Sequence, residues 1–342
     1  MSETNTARST TLKLQYNHHD ITEELHKFLL DWTFTDNLSG EIDSFDFDLV
    51  DKDMLWTGKW FPAKGSLIAP RIIRNNWEDK AVITRLGKFE IDEIKGKGFG
   101  TTISIGALAA SDNSSLRGEE KNHVWEKVTV KTVLNDIAKR NKMKLVWQVA
   151  DNPKKDRIEQ ENETDLIFIY HLCKDNGYCL KLVNNTIVVL DEADYEKQEA
   201  VTDIRRISLP EDKIKVLNYS FNTSTTGTYK ACRVEHYNGK KKKRIAATFT
   251  APRAKKVDRI LVVKEEVKSQ AEALRLAKKK LREANKDATT LSLDIYTSMH
   301  IDAGMTFNLE GFGTLNGKYI VTKYKVKSNS QSIDLRRCLE GY

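Results

Sequence analysis

The stretch that decides the fold lies near the end of the chain, where residues 301–326 read IDAGMTFNLEGFGTLNGKYIVTKYKV. Met305, Phe307 and Leu309 alternate with polar residues, which predicts a strand. A second strand is predicted after Asn316-Gly317, with Ile320, Thr322, Tyr324 and Val326 on one face and Lys323 and Lys325 on the other. Because Asn-Gly favours a type I′ turn with positive φ at both residues, we expect a β-hairpin here.

The remainder of the last third, residues 205–342, adds strands and one long helix. Strands are predicted over Ile214–Tyr219, Tyr229–His236 and Leu291–Ile295. The sequence Ser269-x-x-Glu272 is a capping box that starts the helix. Its inward face is predicted to hold Ala271, Leu274, Ala277 and Leu281, with Lys278–Lys280 and Arg282 mostly outward. We interpret residues 205–342 as a strand-rich barrel domain with one long helix.

Residues 11–115 are also predicted to be mostly strands, after a disordered leader over residues 1–10. A short amphipathic helix is expected from Ile21 to Trp32. Phe45, Phe47 and Leu49 then alternate with Asp46 and Asp48, which indicates a strand whose acidic residues face water rather than a calcium or catalytic site. The run of short strands predicts a small N-terminal barrel.

Residues 116–204 show a different pattern, helix followed by strand, twice. Ser111–His123 is polar and is interpreted as a linker. Thr129 and Thr164 are predicted caps of two helices, and Asn184-Asn185 is the predicted turn of a hairpin. This segment is therefore expected to be a small α/β module. The predicted fold class is α+β, with two strand-rich β-barrel domains flanking the module.

The composition excludes several classes of protein. With 342 residues the chain can hold two or three domains with real cores, and no apolar run is long enough to span a membrane. The first residues lack the apolar segment of an export signal, so use without export is expected. Cys173, Cys179, Cys232 and Cys338 form no C-x-x-C pair, so free thiols are expected. Cys173 and Cys179 with His171 could suggest a metal site, but each cysteine fits an apolar face, and we predict no metal, cofactor or catalytic residue.

The order of several motifs resembles one family. The C-terminal Gly304-Met-Thr and Gly317-Lys-Tyr-Ile-Val321, the N-terminal Phe34-Thr-Asp-Asn-Leu-Ser-Gly40 and Gly87-Lys-Phe-Glu-Ile-Asp-Glu-Ile94, and Trp125-Glu-Lys-Val-Thr-Val-Lys131 in the middle are similar to phage tail hub proteins. These include the late control protein D family and the hubs of phage-tail-like bacteriocins.

That resemblance implies a function without chemistry. It implies a homotrimeric baseplate hub of a phage tail or phage-tail-like particle, assembled in the cytoplasm of a bacterial host. Each subunit would give two similar tail-tube-like barrels, so that a trimer matches the sixfold tail tube on one side and a threefold cell-puncturing spike on the other. The implied partners are the tail tube protein, the spike protein and other baseplate proteins.

The positive charge is concentrated in one region. Residues 240–286 hold 17 Lys and Arg against 5 Asp and Glu, whereas the whole chain has a net charge of +7. A solvated helix face with a mobile loop would explain this, and so would docking against an acidic neighbour, because a basic surface steers association. The candidate docking residues are Lys240, Lys241, Lys242, Lys243, Arg244, Lys278, Lys279 and Lys280.

Two other functions stay open. A nucleic-acid-binding protein could use the basic region 240–286, but no known reading module accompanies it and aromatic residues do not interleave with the basic run, so nucleic acid is an unfavoured partner. A tail-associated cell-wall hydrolase would need a nucleophile with its base or a metal motif, and the sequence offers neither.

Overall fold

The computed structural model describes residues 7–77, 80–98, 102–109, 115–238, 243–252 and 258–342 of the 342-residue chain. Strands outweigh helices, and the predicted α+β class is confirmed. No helix among the described residues combines the length and apolar character that crossing a membrane requires.

The helices are α1 (Thr22–His26), α2 (Ser115–Gly118), α3 (Val130–Arg140), α4 (Asp165–Asp175), α5 (Glu192–Lys197) and α6 (Gln270–Asn285). The strands are β1 (Ser9–Tyr16), β2 (His19–Asp20), β3 (Leu29–Asn37), β4 (Ser44–Val50), β5 (Leu67–Asn75), β6 (Val82–Arg85), β7 (Phe89–Lys97), β8 (Thr102–Ala109), β9 (Glu120–Thr129), β10 (Lys144–Gln148), β11 (Lys154–Thr164), β12 (Cys179–Val183), β13 (Thr186–Leu190), β14 (Asp203–Arg205), β15 (Lys215–Thr223), β16 (Ala231–Asn238), β17 (Lys243–Thr250), β18 (Ile260–Val263), β19 (Thr289–Tyr296), β20 (Thr306–Glu310), β21 (Gly317–Lys327) and β22 (Gln331–Arg337).

Fourteen strands of the described residues form one large sheet, here called the main sheet. Its path runs β15-β19-β22-β21-β3-β4-β8-β7-β5-β1-β2, with β6, β14 and β20 attached beside it. The predicted hairpin is β20 and β21, which pair antiparallel. One edge of β21 pairs with β22; the other pairs first with β20 and further along with β3, where Val326 lies opposite Phe34. The hairpin therefore joins the first and last parts of the chain.

The turn of this hairpin differs from the prediction. Asn316 has φ −54° and Gly317 has φ +138°, so the type I′ prediction is wrong. The strands are joined through a 3-10 turn over Gly313–Leu315, and the Asn316 side chain accepts a hydrogen bond from Phe312 N at 2.7 Å. A longer loop with its own internal hydrogen bonds removes the need for a two-residue turn.

The alternation predicted for the second strand is also interrupted. The pairing of β21 with β22 shifts register between Val321 and Lys323, which is a β-bulge. Tyr319 and Val321 before the bulge and Tyr324 after it therefore face the main core, while Ile320 packs against the middle module. The single face predicted for Ile320, Thr322, Tyr324 and Val326 is wrong for this reason.

One core lies under the main sheet. Phe45 and Phe89 from the first third pack in the same cluster as Phe307 and Ile333 from the last third, all at most 1% exposed. The division into barrels over 11–115 and 205–342 stays a prediction; the strands of both segments share a sheet and a core.

The first helix is shorter than predicted. It spans only α1, and Trp32, expected on that helix, lies in β3. Trp32 and Phe34 in β3 are buried, whereas Thr33 between them is not. The two-residue alternation of this strand overrides the helical spacing that the same apolar residues suggested. Residues 1–6 of the predicted leader lie outside the described residues, and Ser9 and Thr10 belong to β1.

The middle module follows its predicted helices and hairpin. Thr129 and Thr164 each accept a hydrogen bond from the backbone N–H three residues later, which confirms both caps. Asn184 and Asn185 have φ +44° and +61°, as a type I′ turn requires. The prediction of a linker over Ser111–His123 is wrong from residue 115 onward, because α2 and then β9 begin there. β9 pairs with β11, and β11 was not predicted from the sequence.

A small unit is inserted between β15 and β19 and is here called the α6 unit. It consists of β16, β17, β18 and α6 and has its own core, with Cys232, Val234, Leu276, Ala277 and Leu281 among its buried members. Ser269 Oγ accepts from Glu272 N at 3.1 Å, which confirms the predicted cap. The predicted inward face is wrong for Ala271 and for Leu274, which is 46% exposed, because Ala273 and Leu276 take those places.

Candidate assembly interface

The end of the main sheet at β15 is an exposed edge. Among the described residues, β15 forms backbone ladder pairs with β19 alone, from Lys215↔Tyr296 to Thr223↔Thr289. Every residue from Leu217 to Thr223 is exposed. An edge strand presents unpaired N–H and C=O groups that can pair with another strand.

One face of β15 is apolar and open to water. Tyr219 and Phe221 lie on one face of β15, opposite Leu293 and Leu291, and are 38% and 57% exposed. Leu217 is 69% exposed and lies at a β-bulge between Val216 and Asn218. Tyr219 packs edge-on against Phe312, with ring centroids 5.3 Å apart. Residues 216–223 contain no charge, proline or glycine, although proteins commonly protect such edges with charged residues or proline. We name Leu217, Tyr219 and Phe221 the β15 stripe.

Both ends of β15 are fixed by side-chain contacts. Lys215 Nζ donates to Pro210 O at 2.7 Å, and Val216 N donates to Ser208 Oγ at 3.0 Å. At the far end the hydroxyls of Thr223 and Thr289 lie 2.7 Å apart. The strand is therefore held in an extended form before any partner binds, which lowers the ordering cost of association. The sequence predicted a strand here but not its place at the edge; the uncharged run 216–223 was the available signal.

The basic loop predicted as a docking site is only partly described. Lys240, Lys241 and Lys242 lie outside the described residues, and Lys243 contributes the first residue of β17. Arg244 forms an ion pair with Glu235 on the neighbouring strand. Docking through Lys240–Arg244 stays a prediction.

The lysines of α6 do not share one environment. Lys279 Nζ donates to Asn176 O at 2.8 Å and lies 4.0 Å from the centre of the Tyr178 ring. Burial lowers the pKa of Lys279, and the charge of Asp151 opposes that shift. Lys280 Nζ lies 2.9 Å from Glu265 Oε1. The outward orientation expected for these two residues is therefore wrong.

Lys278 keeps the exposed position that was predicted. Its ammonium lies 5.8 Å from the centre of the Phe249 ring. Among the described residues it has no carboxylate within 4.0 Å. Of the three predicted docking lysines on α6, Lys278 alone is open to a partner.

The basic residues of α6 largely neutralise acidic residues of the middle module. Arg275 forms an ion pair with Asp151, and Lys279 Nζ lies 3.2 Å from the same carboxylate. Although burial alone would raise it, these two cations hold the pKa of Asp151 below its ordinary value. Lys268 Nζ lies 2.5 Å from Asp156 Oδ1. These ion pairs attach the α6 unit to the middle module.

A buried group of charges joins three parts of the fold, and we name it the buried ion network. Arg336 on β22 is 1% exposed and places Nη2 2.6 Å from Glu192 Oε2. Its other terminal nitrogen contacts Glu196, and Arg282 Nη2 of α6 lies 2.6 Å from Glu196 Oε1. The network fixes α5 of the module, the main sheet and α6 relative to one another.

The residues weighed for metal binding do not form a site. All four cysteines are free, and burial raises the pKa of Cys179 to about 12. His171 is exposed on α4, and its Nδ1 lies 3.4 Å from Glu163 Oε2. Among the described residues no three His, Cys, Asp or Glu side chains are grouped as metal ligands.

The fold of this chain is shared by solved structures of other proteins. The 43 kDa tail protein of prophage MuSo2 from Shewanella oneidensis superposes with a TM-score of 0.70 and 12% identity, over 96% of this chain and 98% of that protein. The fold is therefore one found in phage tail proteins.

Sequence comparison gives the family. The profile of the phage tail baseplate hub (GPD) family matches residues 113–332. The chain belongs to this family, which confirms the resemblance, and it is a component of a tail baseplate.

Two curated relatives are named probable baseplate hub proteins. That of Escherichia phage 186 is 31% identical over 176 residues, and that of Escherichia phage P2 is 28% identical over 166 residues. The matches cover 50% and 48% of this chain but only 42% and 41% of the relatives. The chain is thus aligned with less than half of each relative's length.

Proposed function

We propose that this chain is the hub of a phage or phage-tail-like baseplate, a homotrimer that joins the sixfold tail tube to the threefold spike. Membership of the baseplate hub family supports the hub role. In this role the protein transmits load and adapts one symmetry to another, and it catalyses no reaction.

The proposal of a trimer is supported by the exposed edge at β15. A closed ring of identical subunits can form through a head-to-tail interface, in which one surface of each copy binds a different surface of the next. An edge strand with an apolar face meets this need, since its backbone can extend a neighbour's sheet while the β15 stripe is buried. Contiguous exposed apolar residues on a folded protein mark such interfaces.

The main sheet explains how load would pass through a subunit. From β15 the hydrogen-bonded path crosses β19, β22 and β21 and reaches β3 without interruption. A force applied at β15 is therefore carried by backbone pairs across the seam between the first and last parts of the chain. A subunit contact at β15 would make that path continuous between copies.

The test compares two matched substitutions by native mass spectrometry. Phe221→Asp places a charge in the β15 stripe, and Val124→Asp changes a comparably exposed residue, 57% against 47%, on β9 away from the main sheet. We expect the wild type and Val124→Asp to form trimers, alone or with the spike protein present, and Phe221→Asp to be monomeric. Trimers of Phe221→Asp would exclude β15 as the interface. A wild type that stays monomeric with spike and tube proteins present would contradict the hub proposal.

A further inference from the structure

The two helices α4 and α6 face each other across an open groove. The cavity between them has a volume of about 700 Å³, and we name it the α4–α6 groove. Its α4 wall includes Ile167, Tyr170, His171 and Lys174, and its α6 wall includes Arg275, Lys278, Lys279, Arg282 and the C-cap residue Lys286. These spacings of three, four and seven residues place each set on one face of its helix.

The two helices meet at the C-terminal end of α4, where Lys280 Nζ lies 3.7 Å from Asp175 Oδ1. Lys279 donates to Asn176 O at the C-terminal end of α4, where a cation also meets the negative end of the helix dipole. Gly177 permits this approach: a Cβ there would lie 3.1 Å from Lys279 Cδ, and its φ is +69°.

The cations of the groove fall into two groups. A carboxylate partner within the chain is present for Arg275, Lys279, Arg282 and Lys286, and also for the lining residues Lys197 and Arg336. Lys174 and Lys278 are exposed on opposite walls, and among the described residues neither has a carboxylate within 4.0 Å. The folded chain thus leaves two cations available, one on each side of the groove.

An exposed apolar residue accompanies these cations. Ile167 is 47% exposed and lies on the same face of α4 as Lys174, two helical turns away. Apolar side chains at a polar rim are a common feature of protein interfaces. A ligand of this groove would therefore need negative charge for the lysines and an apolar side chain for Ile167.

We propose that the α4–α6 groove binds an acidic segment of a neighbouring baseplate protein. Its carboxylates would pair with Lys174 and Lys278, and an apolar side chain would cover Ile167. This rests on the proposed hub function, which supplies the neighbour. It narrows the docking prediction for α6 from three lysines to Lys278, and it adds Lys174, which sequence analysis did not select.

The groove suits a polypeptide better than nucleic acid. Asp194, Glu283 and Asp287 also line it, and these carboxylates would repel a phosphate backbone. Stacking of bases requires exposed aromatic faces. Of the aromatic residues that line the groove, Tyr178 is buried, and Tyr170 and Tyr342 are only partly exposed. A short acidic peptide can place its few charges at the two free lysines and avoid the acidic positions.

The test reverses the two free lysines. In the full chain, Lys174→Glu with Lys278→Glu should weaken binding of one purified tail or baseplate protein by roughly tenfold or more, since opposite charges become like charges. The matched control, Lys52→Glu with Lys64→Glu, changes two exposed lysines outside the groove and should bind as the wild type does. Lys174→Ala with Lys278→Ala should give a smaller loss in the same direction, which guards against a folding defect of the reversed form.

Two probes identify the ligand class. Wild-type binding of that protein, and of a fluorescent peptide of alternating Glu and Leu, should fall at high salt, because exposed charges are screened beyond about 10 Å at 0.1 M. Unchanged binding of every tail protein and of the peptide by both groove variants would overturn the inference. Loss of duplex DNA binding with protein binding intact would overturn it in favour of nucleic acid. The trimer mass, recorded separately, shows whether a failure belongs to the groove or to the hub proposal.

Discussion

Replacing Arg336 by methionine should destabilise the fold more than replacing other charged residues that lie away from the surface, because Arg336 is the centre of the buried ion network. Its side chain is 1% exposed and contacts both Glu192 and Glu196. Methionine keeps much of the volume and removes the charge. The substitution therefore leaves two buried carboxylates without their shared cation.

The remaining contacts set the size of the effect. Removing one partner of a buried ion pair costs about 3–5 kcal/mol, because the remaining charge stays in the interior without an opposite charge. Glu196 retains Arg282 Nη2 at 2.6 Å, but among the described residues the only cation left within 4.0 Å of Glu192 is Lys286, at 3.8 Å. With one carboxylate still paired, the lower end applies, and we expect a loss of about 3 kcal/mol.

The pH dependence of stability provides a second signature. Although burial alone would raise it, Arg336, Lys286 and Arg282 hold the pKa of Glu192 below its ordinary value of 4.5. A carboxyl with a depressed folded pKa contributes stability above 4.5, and that contribution is lost as pH falls through the folded pKa. Without Arg336 the folded pKa rises, so the variant should lose less stability than the wild type on acidification below pH 4.5.

Urea unfolding at several pH values measures both quantities. Arg337→Met is the matched control, since Arg337 is the neighbouring residue and bonds to exposed turn carbonyls. Combining Arg336→Met with Glu192→Gln should recover part of the loss, because the unpaired charge is removed. A loss below about 1 kcal/mol, with unchanged acid sensitivity and no recovery in the double variant, would refute the argument that the network is a buried, mutually dependent set.

Other substitutions test separate contacts. Burial and the charge of Asp36 raise the pKa of Asp43 from its ordinary value of 3.8 to about 7. The free energy of unfolding should therefore fall as pH rises from 3.8 to about 7, because Asp43 ionises less readily in the folded state. Asp43→Asn should remove this pH dependence in urea unfolding, and an unchanged pH dependence would reject the assignment to Asp43. Gly177→Ala should cost about 1–2 kcal/mol of stability, because its φ is positive, and should increase hydrogen exchange of α6. The control Gly118→Ala should be neutral, because a Cβ there meets open space. Equal effects of the two substitutions would show that the close approach of Lys279 to residue 177 does not require glycine.

Local features of this fold could be predicted from sequence because their causes are local. The Thr129, Thr164 and Ser269 caps depend on a side chain and an N–H three residues away, and all three are present. The Asn184-Asn185 turn depends on two residues that tolerate positive φ.

The failures have non-local causes. The ribbon of β9 and β11 carries charged residues on both faces, so neither strand shows the alternation that identifies half-buried strands. The bulge in β21 is fixed by its neighbour β22 and inverts the faces of Ile320 and Val321. The local sequence of a strand does not indicate which strand will pair with it.

The candidate interface shows the same limit. A charge count locates the basic region correctly but cannot tell that Lys279 and Lys280 are paired inside the chain, because Asp151, Asn176 and Glu265 are brought to them by folding. Arg336 is 144 residues from Glu192, and a lone arginine in a strand gives no sign of burial. The exposed edge at β15 likewise becomes visible only when the sheet order is known.

The copy number and neighbours of this chain in intact tail particles test the hub proposal most directly. Quantitative mass spectrometry of purified particles, combined with chemical crosslinking, measures both. We expect three copies per tail whatever the tail length, with crosslinks from β15 between copies and from the chain to tube and spike proteins. A copy number that grows with tail length, or crosslinks that never reach the tube and the spike, would contradict it.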